Sequence, residues 1–306
     1  MKISTPISAI LDDGRLHLQH GPIDLIIEAF ANDHREITMA YEQASMRFSS
    51  LLSSLVLELK KLRTSLSNQF PLFYDPVAQR MAQAVWPYRD EFITPMAAVA
   101  GAIADEILQA SIAGRNLRRA YVNNGGDIAI HLSHGEKFEI GIAAIEDSAL
   151  KGKFTICAEE YVRGIATSGR NGRSFSRGIA DSVTVLARTA AQADAAATMV
   201  ANAVNVDHPG IERVPARDIQ AESDLGSLLV TRDVPVLDDE TIQQALDAGE
   251  VAANKYLDDK LIERAAIRLQ GHVRIIPDLW PEASPSFPRM RESILSNPFP
   301  LPYQSM

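Results

Sequence analysis

The chain has 306 residues, 46% of them hydrophobic and 23% charged, enough apolar material for one or two domains to bury a core unaided. A formal charge of −9 argues against general affinity for nucleic acid or anionic lipid. The single cysteine, Cys157, excludes an intramolecular disulfide and a thiolate-rich metal site.

The opening stretch is broken by Asp12, Asp13 and Arg15 and does not read as a signal peptide. No run elsewhere approaches the roughly 18 apolar residues of a spanning helix. The expectation is a soluble cytoplasmic protein with no membrane and no nucleic-acid partner. Two short β-like runs, "KISTPISAIL" and "GRLHLQHG", flank the turn "DDG" and predict a hairpin. From Ile23 to about Leu66 the spacing predicts helix, with Leu25, Ile26, Ala29 and Phe30 on one stripe and Leu51, Leu52, Leu55, Val56 and Leu59 on another. "FPLFYDPVAQRMAQAVWPY" carries three prolines and reads as a connection around a short helix.

"TPMAAVAGAIADEILQA" predicts a helix capped by Thr94, with Pro95 at its first position and a small-residue body suited to close packing. "RRAYVNNGGDIAIHL" reads as strand, tight turn and strand, with Gly125 and Gly126 in the turn. "FEIGIAAI", "KFTICAEEY" and "DSVTVLAR" add strands, Cys157 reading as a buried small residue. A second Ala-rich helix covers about 190–205. Beyond it, "GSLLVTRDV" and "HVRII" read as strands around a helix near 239–269. Residues 277–306 hold seven prolines and form a tail or an extended arm, the tail being favoured; residues 1–276 form the folded domain. The element order favours α+β, and the two Ala-rich helices, each adjacent to strand pairs, point to a duplicated β-α unit.

Two stretches carry chemistry. Residues 163–185, "RGIATSGRNGRSFSRGIADSVTV", contain Arg163, Arg170, Arg173 and Arg177 among glycines and hydroxyls, with no acid before Asp181. Glycine-rich backbone can converge N–H groups on an anion and arginine can grip phosphate, although a solvated loop explains the same composition. Neither a P-loop nor a G-x-G-x-x-G fingerprint occurs. In "ADAAATMVANAV", Asp194 and Thr198 stand one helical turn apart on one face, a carboxylate and a hydroxyl suited to a hard cation such as Mg²⁺. The alternative is that Asp194 is a dipole-favoured acid and Thr198 packs or bonds back to a carbonyl. His131 and His134 lie on opposite faces of a strand end and are not expected to share a metal.

Four blocks in order, "TPMAAVAGAIADEI", "VNNGGDIAI", "GIATSGRNGRSFSRGIADSVTVLA" and "ADAAATMVANAV", spanning about 94–204, resemble the ApbE-like superfamily, most closely its cytoplasmic branch of unassigned function. The resemblance implies a T-fold-related α+β architecture, with duplicated antiparallel sheet units and central Ala-rich helices. It also implies a phosphate-bearing ligand, FAD or FMN, with Mg²⁺, because the better-known relatives split FAD and attach FMN to a Thr or Ser of an acceptor protein, or hydrolyse FAD to FMN and AMP. Carried over, Asp194 and Thr198 hold the metal beside the backbone of Ala166. Asn124, Gly125, Gly126 and Asp127 border the flavin, and the backbone of Thr167 and Ser168 lies near the metal; Gly169, Arg170 and Arg173 join the cofactor-binding set with them through the phosphate grip read from the glycine-arginine stretch itself. Asp181 takes the place of a catalytic aspartate beside Asp194 and Thr198. A homo-oligomer is compatible with this reading.

The chain departs from the pattern as well. The His-Ile-Ile-Asp-Pro-like text of the transferases is replaced by "FSRGIADSVTV", and Ala166 and Arg173 stand where the unassigned branch is expected to carry a cysteine and a histidine. These departures keep a second reading open, a non-catalytic accessory protein, for example in sulfur assimilation into homocysteine, a process whose partners that branch resembles.

Overall fold

The computed structural model describes residues 5–141 and 153–277. Nine strands form one antiparallel sheet, in the order β1 (Ile7–Ile10), β2 (Leu16–His20), β3 (Ile23–Phe30), β4 (Arg119–Asn124), β5 (Asp127–Leu132), β8 (Gly164–Ser168), β9 (Ser182–Ala187), β12 (Arg264–Leu269) and β13 (His272–Ile276). Two further hairpins stand apart, β6 (Lys137–Gly141) with β7 (Lys153–Cys157), and β10 (Glu212–Pro215) with β11 (Leu229–Asp233). The helices are α1 (His34–Leu57), α2 (Leu59–Leu62), α3 (Pro76–Val85), α4 (Val99–Ile112), α5 (Ala190–Ala203), α6 (Ala216–Ile219) and α7 (Asp239–Asp258). Mixed α and β elements with antiparallel sheets agree with the α+β expectation.

The sheet separates two apolar layers. One face, with residues such as Leu25, Ile27, Val122, Ala166, Val183 and Val185, packs against the helices. The other face presents Tyr121, Ile128, Ile130, Ile165 and Leu186 to Phe138, Ile140, Phe154 and Ile156 of the β6–β7 hairpin. Strands covered on both sides read as near-continuous apolar runs, as "SVTVLA" does in β9.

Four expectations need correction. Ile23–Phe30 is strand β3, not the start of a helix, because Ile23, Leu25, Ile27 and Ala29 point inward at a period of two while Asp24 and Glu28 alternate with them. The predicted 239–269 helix stops at Asp258. Lys260 takes a left-handed φ of 59°, after which "RAAIRL" pairs as β12 between β9 and β13. Gly164–Ser168, for which no strand is predicted, is a central strand, β8, between β5 and β9. Cys157 is half-buried at the end of β7 rather than enclosed. The proline-rich tail, 277–306, lies outside the described residues except for Pro277, as does the expected continuation of β6 beyond Gly141.

The predicted cap at Thr94 also works differently: its hydroxyl donates to the carboxylate of Asp224 and makes no cap hydrogen bond. The orphan N–H groups at the start of α4 are served from the neighbouring helix. Gly101 N–H donates to Asp194 Oδ2 at 3.0 Å, and in return Ala190 and Ala191 N–H, at the start of α5, donate to the two carboxylate oxygens of Asp105, each at 3.0 Å. The two helices therefore cross at their first turns, each end satisfied by an aspartate of the other. The crossing is close enough that a Cβ on Gly101 would stand 2.2 Å from Ala190 O, which explains a glycine in the first turn of α4.

Asp105 is 7% exposed, and burial pushes its carboxyl up to about 6 against the pull of the two N–H donors. Asp105→Ala would leave two N–H groups without their acceptor; the expected loss is about 2 kcal/mol, read as a lower urea midpoint with an unchanged slope.

Candidate functional site

The first turns of α4 and α5 open toward the β4–β5 turn. Gly125 and Gly126 take left-handed φ values of 65° and 114°, and Gly126 N–H donates to Asn123 Oδ1 at 2.8 Å, which closes the tight turn and aims Asp127 at the helix crossing. Asn124, 7% exposed, ties the turn to the helix by donating from Nδ2 to Ala100 O at 3.0 Å. Thr167 N–H, at the end of β8, donates to Asp127 Oδ1 at 3.3 Å.

Asp127 and Asp194 titrate as interacting neighbours. Burial pushes Asp127 up to about 7, against the pull of Thr167 N–H and the positive charge of Arg173. Asp194 lies well above the ordinary carboxylate range, first through burial and then through the negative charge of Asp127, with Gly101 N–H pulling the other way. Two carboxylates that repel each other in a partly desolvated place attract a proton or a cation. Thr198, one turn along α5, carries a hydroxyl that takes no hydrogen bond among the described residues.

This oxygen-only set suits Mg²⁺, which is commonly held by one or two carboxylates and completed by water and phosphate oxygens. Among the described residues no group of three or more His, Cys, Asp and Glu side chains is placed to hold a metal, so the protein would supply only part of a coordination shell.

The arginine-glycine stretch divides in two. Arg173 returns to the turn: its guanidinium covers Gly125 so closely that a Cβ there would stand 2.7 Å from Nη1. Arg170, by contrast, is consumed by Asp181, donating from Nε and Nη2 to Oδ1 at 2.9 and 2.7 Å. The other oxygen of Asp181 accepts Gln270 N–H at 2.5 Å. With both its oxygens engaged, Asp181 pins the loop to β12–β13 rather than facing the helix crossing. Ala166 is buried in β8, and Thr167 shares a 2.9 Å hydrogen bond with the Thr184 hydroxyl. Ser168 ends β8, and Gly169 takes a φ of 141° with the backbone of Asp181 and Ser182 where a side chain would go.

Asp127, Asp194, Thr167 N–H, Arg173 and the glycine turn thus gather at one place, with Thr198 one helical turn from Asp194, while Arg170 and Asp181 form a separate brace. Sequence reasoning missed Asp105. Its signal was available: Gly101 and Asp105 repeat the four-residue spacing of Ala190 and Asp194 in the other Ala-rich helix.

A family described as AbpE bacteria matches residues 8–275. Among curated proteins, a UPF0280 protein of Methanopyrus kandleri is 37% identical over 133 residues, covering 44% of this chain and 51% of that protein. A UPF0280 protein of Methanococcoides burtonii is 39% identical over 121 residues, covering 39% and 50%. The chain thus spans about half the length of the curated relatives it matches. Among solved structures, the ApbE protein of Thermotoga maritima aligns at 14% identity with a TM-score of 0.36, over 67% of this chain and 88% of that one. A flavin transferase ApbE from Vibrio cholerae aligns at 12% identity, also with a TM-score of 0.36, over 88% and 95%. Among the described residues no helix is long and apolar enough to cross a membrane.

Proposed function

The chain belongs to the AbpE bacteria family, and on that premise we propose that it binds a flavin nucleotide at the crossing of α4 and α5 and cleaves the pyrophosphate of FAD with Mg²⁺. The observation that carries this reading is the pairing of Asp127 with Asp194 beneath the glycine turn and Arg173. Four sequence blocks resembling ApbE-like transferases make flavin the leading ligand. The recurrence of a strand pair, a helix-bearing segment and a second strand pair in the same sheet, β2–β3 to β4–β5 and again β8–β9 to β12–β13, supports a duplicated, T-fold-related unit.

Asp194, Asp127 and the Thr198 hydroxyl would hold the cation, beside the backbone of Ala166. When bound, Mg²⁺ supplies charge neutralisation at the pyrophosphate oxygens. Thr167 N–H keeps Asp127 turned toward the site, and Arg173 takes up charge on the phosphates as it develops. Asn124, Gly125 and Gly126 let the ligand approach the backbone, and Ser168 and Gly169 continue that wall. Arg170 and Asp181 act at one remove, by fixing the loop that carries Arg173. In the reaction an oxygen of water, or of a Thr or Ser on an acceptor protein, bonds to the phosphorus of the FMN half. The bridging P–O bond breaks, AMP leaves with its electron pair, and the attacking hydroxyl gives its proton to solvent.

A second reading has its own observation. Asp181 has no free oxygen, and the His-x-x-Asp-Pro-like text is missing, which favours an accessory protein that binds the flavin without turnover. The test is to incubate the protein with FAD, with and without Mg²⁺, and to separate the products. FMN and AMP in equal amounts only with Mg²⁺ is the expected result. Flavin retained through gel filtration without product would select the accessory reading, and neither binding nor product would remove both.

A further inference from the structure

A cavity of about 280 Å³ lies at the other end of α5, away from the helix crossing. Asn202 is two turns along the helix from Asp194, about 12 Å by helical rise. Its walls come from separate parts of the chain: Arg177 from the loop before β9, Asn202 and Asn205 from the end of α5, Arg213 from β10, with Glu91 also lining it.

The backbone here is fixed. Arg177 N–H donates to Asn202 Oδ1 at 2.9 Å, Arg177 C=O accepts from Asn205 Nδ2 at 3.4 Å, and a Cβ on Gly178 would collide with Ala201 O. The donors are not used up. The half-buried Arg177 guanidinium has no partner among the described residues, and with Asn202 Oδ1 occupied its amide N–H groups remain available. Arg213 spends Nη2 on Asn205 Oδ1 and Val206 O, at 2.5 and 3.4 Å, so its position is set while its Nε and Nη1 make no bond to the described residues.

Two arginines and one carboxylate line a space that offers mainly N–H donors. An unpaired, partly desolvated guanidinium is costly, and an oxyanion gripped by two of them relieves that cost with charge-assisted hydrogen bonds. The volume is that of about nine waters, below the usual range for a whole drug-sized ligand. We infer that this cavity is a phosphate-binding site, holding inorganic phosphate, pyrophosphate or the phosphate of a nucleotide between Arg177 and Arg213. This inference does not depend on the flavin reading of the helix crossing.

The test is titration calorimetry of the full chain with phosphate, pyrophosphate and AMP, together with three variants whose fold is checked by circular dichroism. Saturable binding is expected, weakened at least about tenfold in Arg177→Gln. Glu91→Gln removes a like charge and is expected to tighten binding severalfold, a gain that a damaged fold cannot imitate. Asp194→Asn should leave phosphate binding unchanged. AMP binding more tightly than phosphate identifies a nucleotide as the source, and equal affinity identifies the free anion; either supports the site. No binding by any of the three anions, unchanged affinity in Arg177→Gln, or loss of phosphate binding in Asp194→Asn would overturn it.

Discussion

Asp194→Asn is expected to cut magnesium-dependent FMN formation by a factor on the order of 10² to 10³ while the protein stays folded. The separation of the two effects follows from what each oxygen does. Gly101 N–H needs an acceptor at the start of α4, and an asparagine oxygen can serve it as Asp194 Oδ2 does. What asparagine cannot provide is the negative charge that Asp194 presents beside Asp127. Asp194→Ala removes both roles and should cost about 1 kcal/mol of stability in addition. Thr198→Val, which exchanges a hydroxyl for a methyl of similar shape, should reduce the rate about tenfold with little change in stability. Product formation in Asp194→Asn equal to that of the unmodified protein at saturating Mg²⁺ would reduce Asp194 to a helix-end acceptor and remove it from catalysis.

That dual role explains why this part of the site was only half legible in the sequence. The blocks "VNNGGDIAI" and "ADAAATMVANAV" could be placed, as a hairpin turn and a helix, because glycine pairs and alanine runs have strong local preferences. Convergence of Asp127 with Asp194 depends on β5 pairing with β8 and on two helices crossing at their first turns, contacts between residues far apart in the chain. β8 itself went unread because its five residues sit inside a segment whose arginines and glycines dominate its composition. At Ile23–Phe30 the error was one of period: apolar residues at 23, 25, 26, 27, 29 and 30 satisfy a helical stripe and a strand alternation together, and burial of the 23, 25, 27 and 29 face decides for the strand. Arg170 and Arg173 are chemically alike and three residues apart, yet only tertiary structure sends one to Asp181 and the other to the glycine turn.

The carboxylate pair should also make stability depend on pH and on Mg²⁺ together. In the unfolded chain Asp127 ionises near its ordinary value of 3.8; in the folded protein it does so at about 7, and Asp194 is raised as well. Between these limits the folded state holds a proton on Asp127 that the unfolded state has released, so stability falls as pH rises from about 4 to 7, and the raised Asp194 adds a loss of the same sign. Allowing for partial solvent access, the cost is on the order of 2–4 kcal/mol for Asp127. Arg173 moderates it and Asp105, the other negative neighbour of Asp194, adds to it. Asp127→Asn should flatten the profile, because it removes one titrating group and lowers the other. Millimolar Mg²⁺ should raise the urea midpoint more at pH 8 than at pH 5, because protons compete for the same carboxylates as pH falls. Equal stabilisation by Mg²⁺ at the two pH values, or its persistence in Asp127→Asn with Asp194→Asn, would locate the cation elsewhere on the protein.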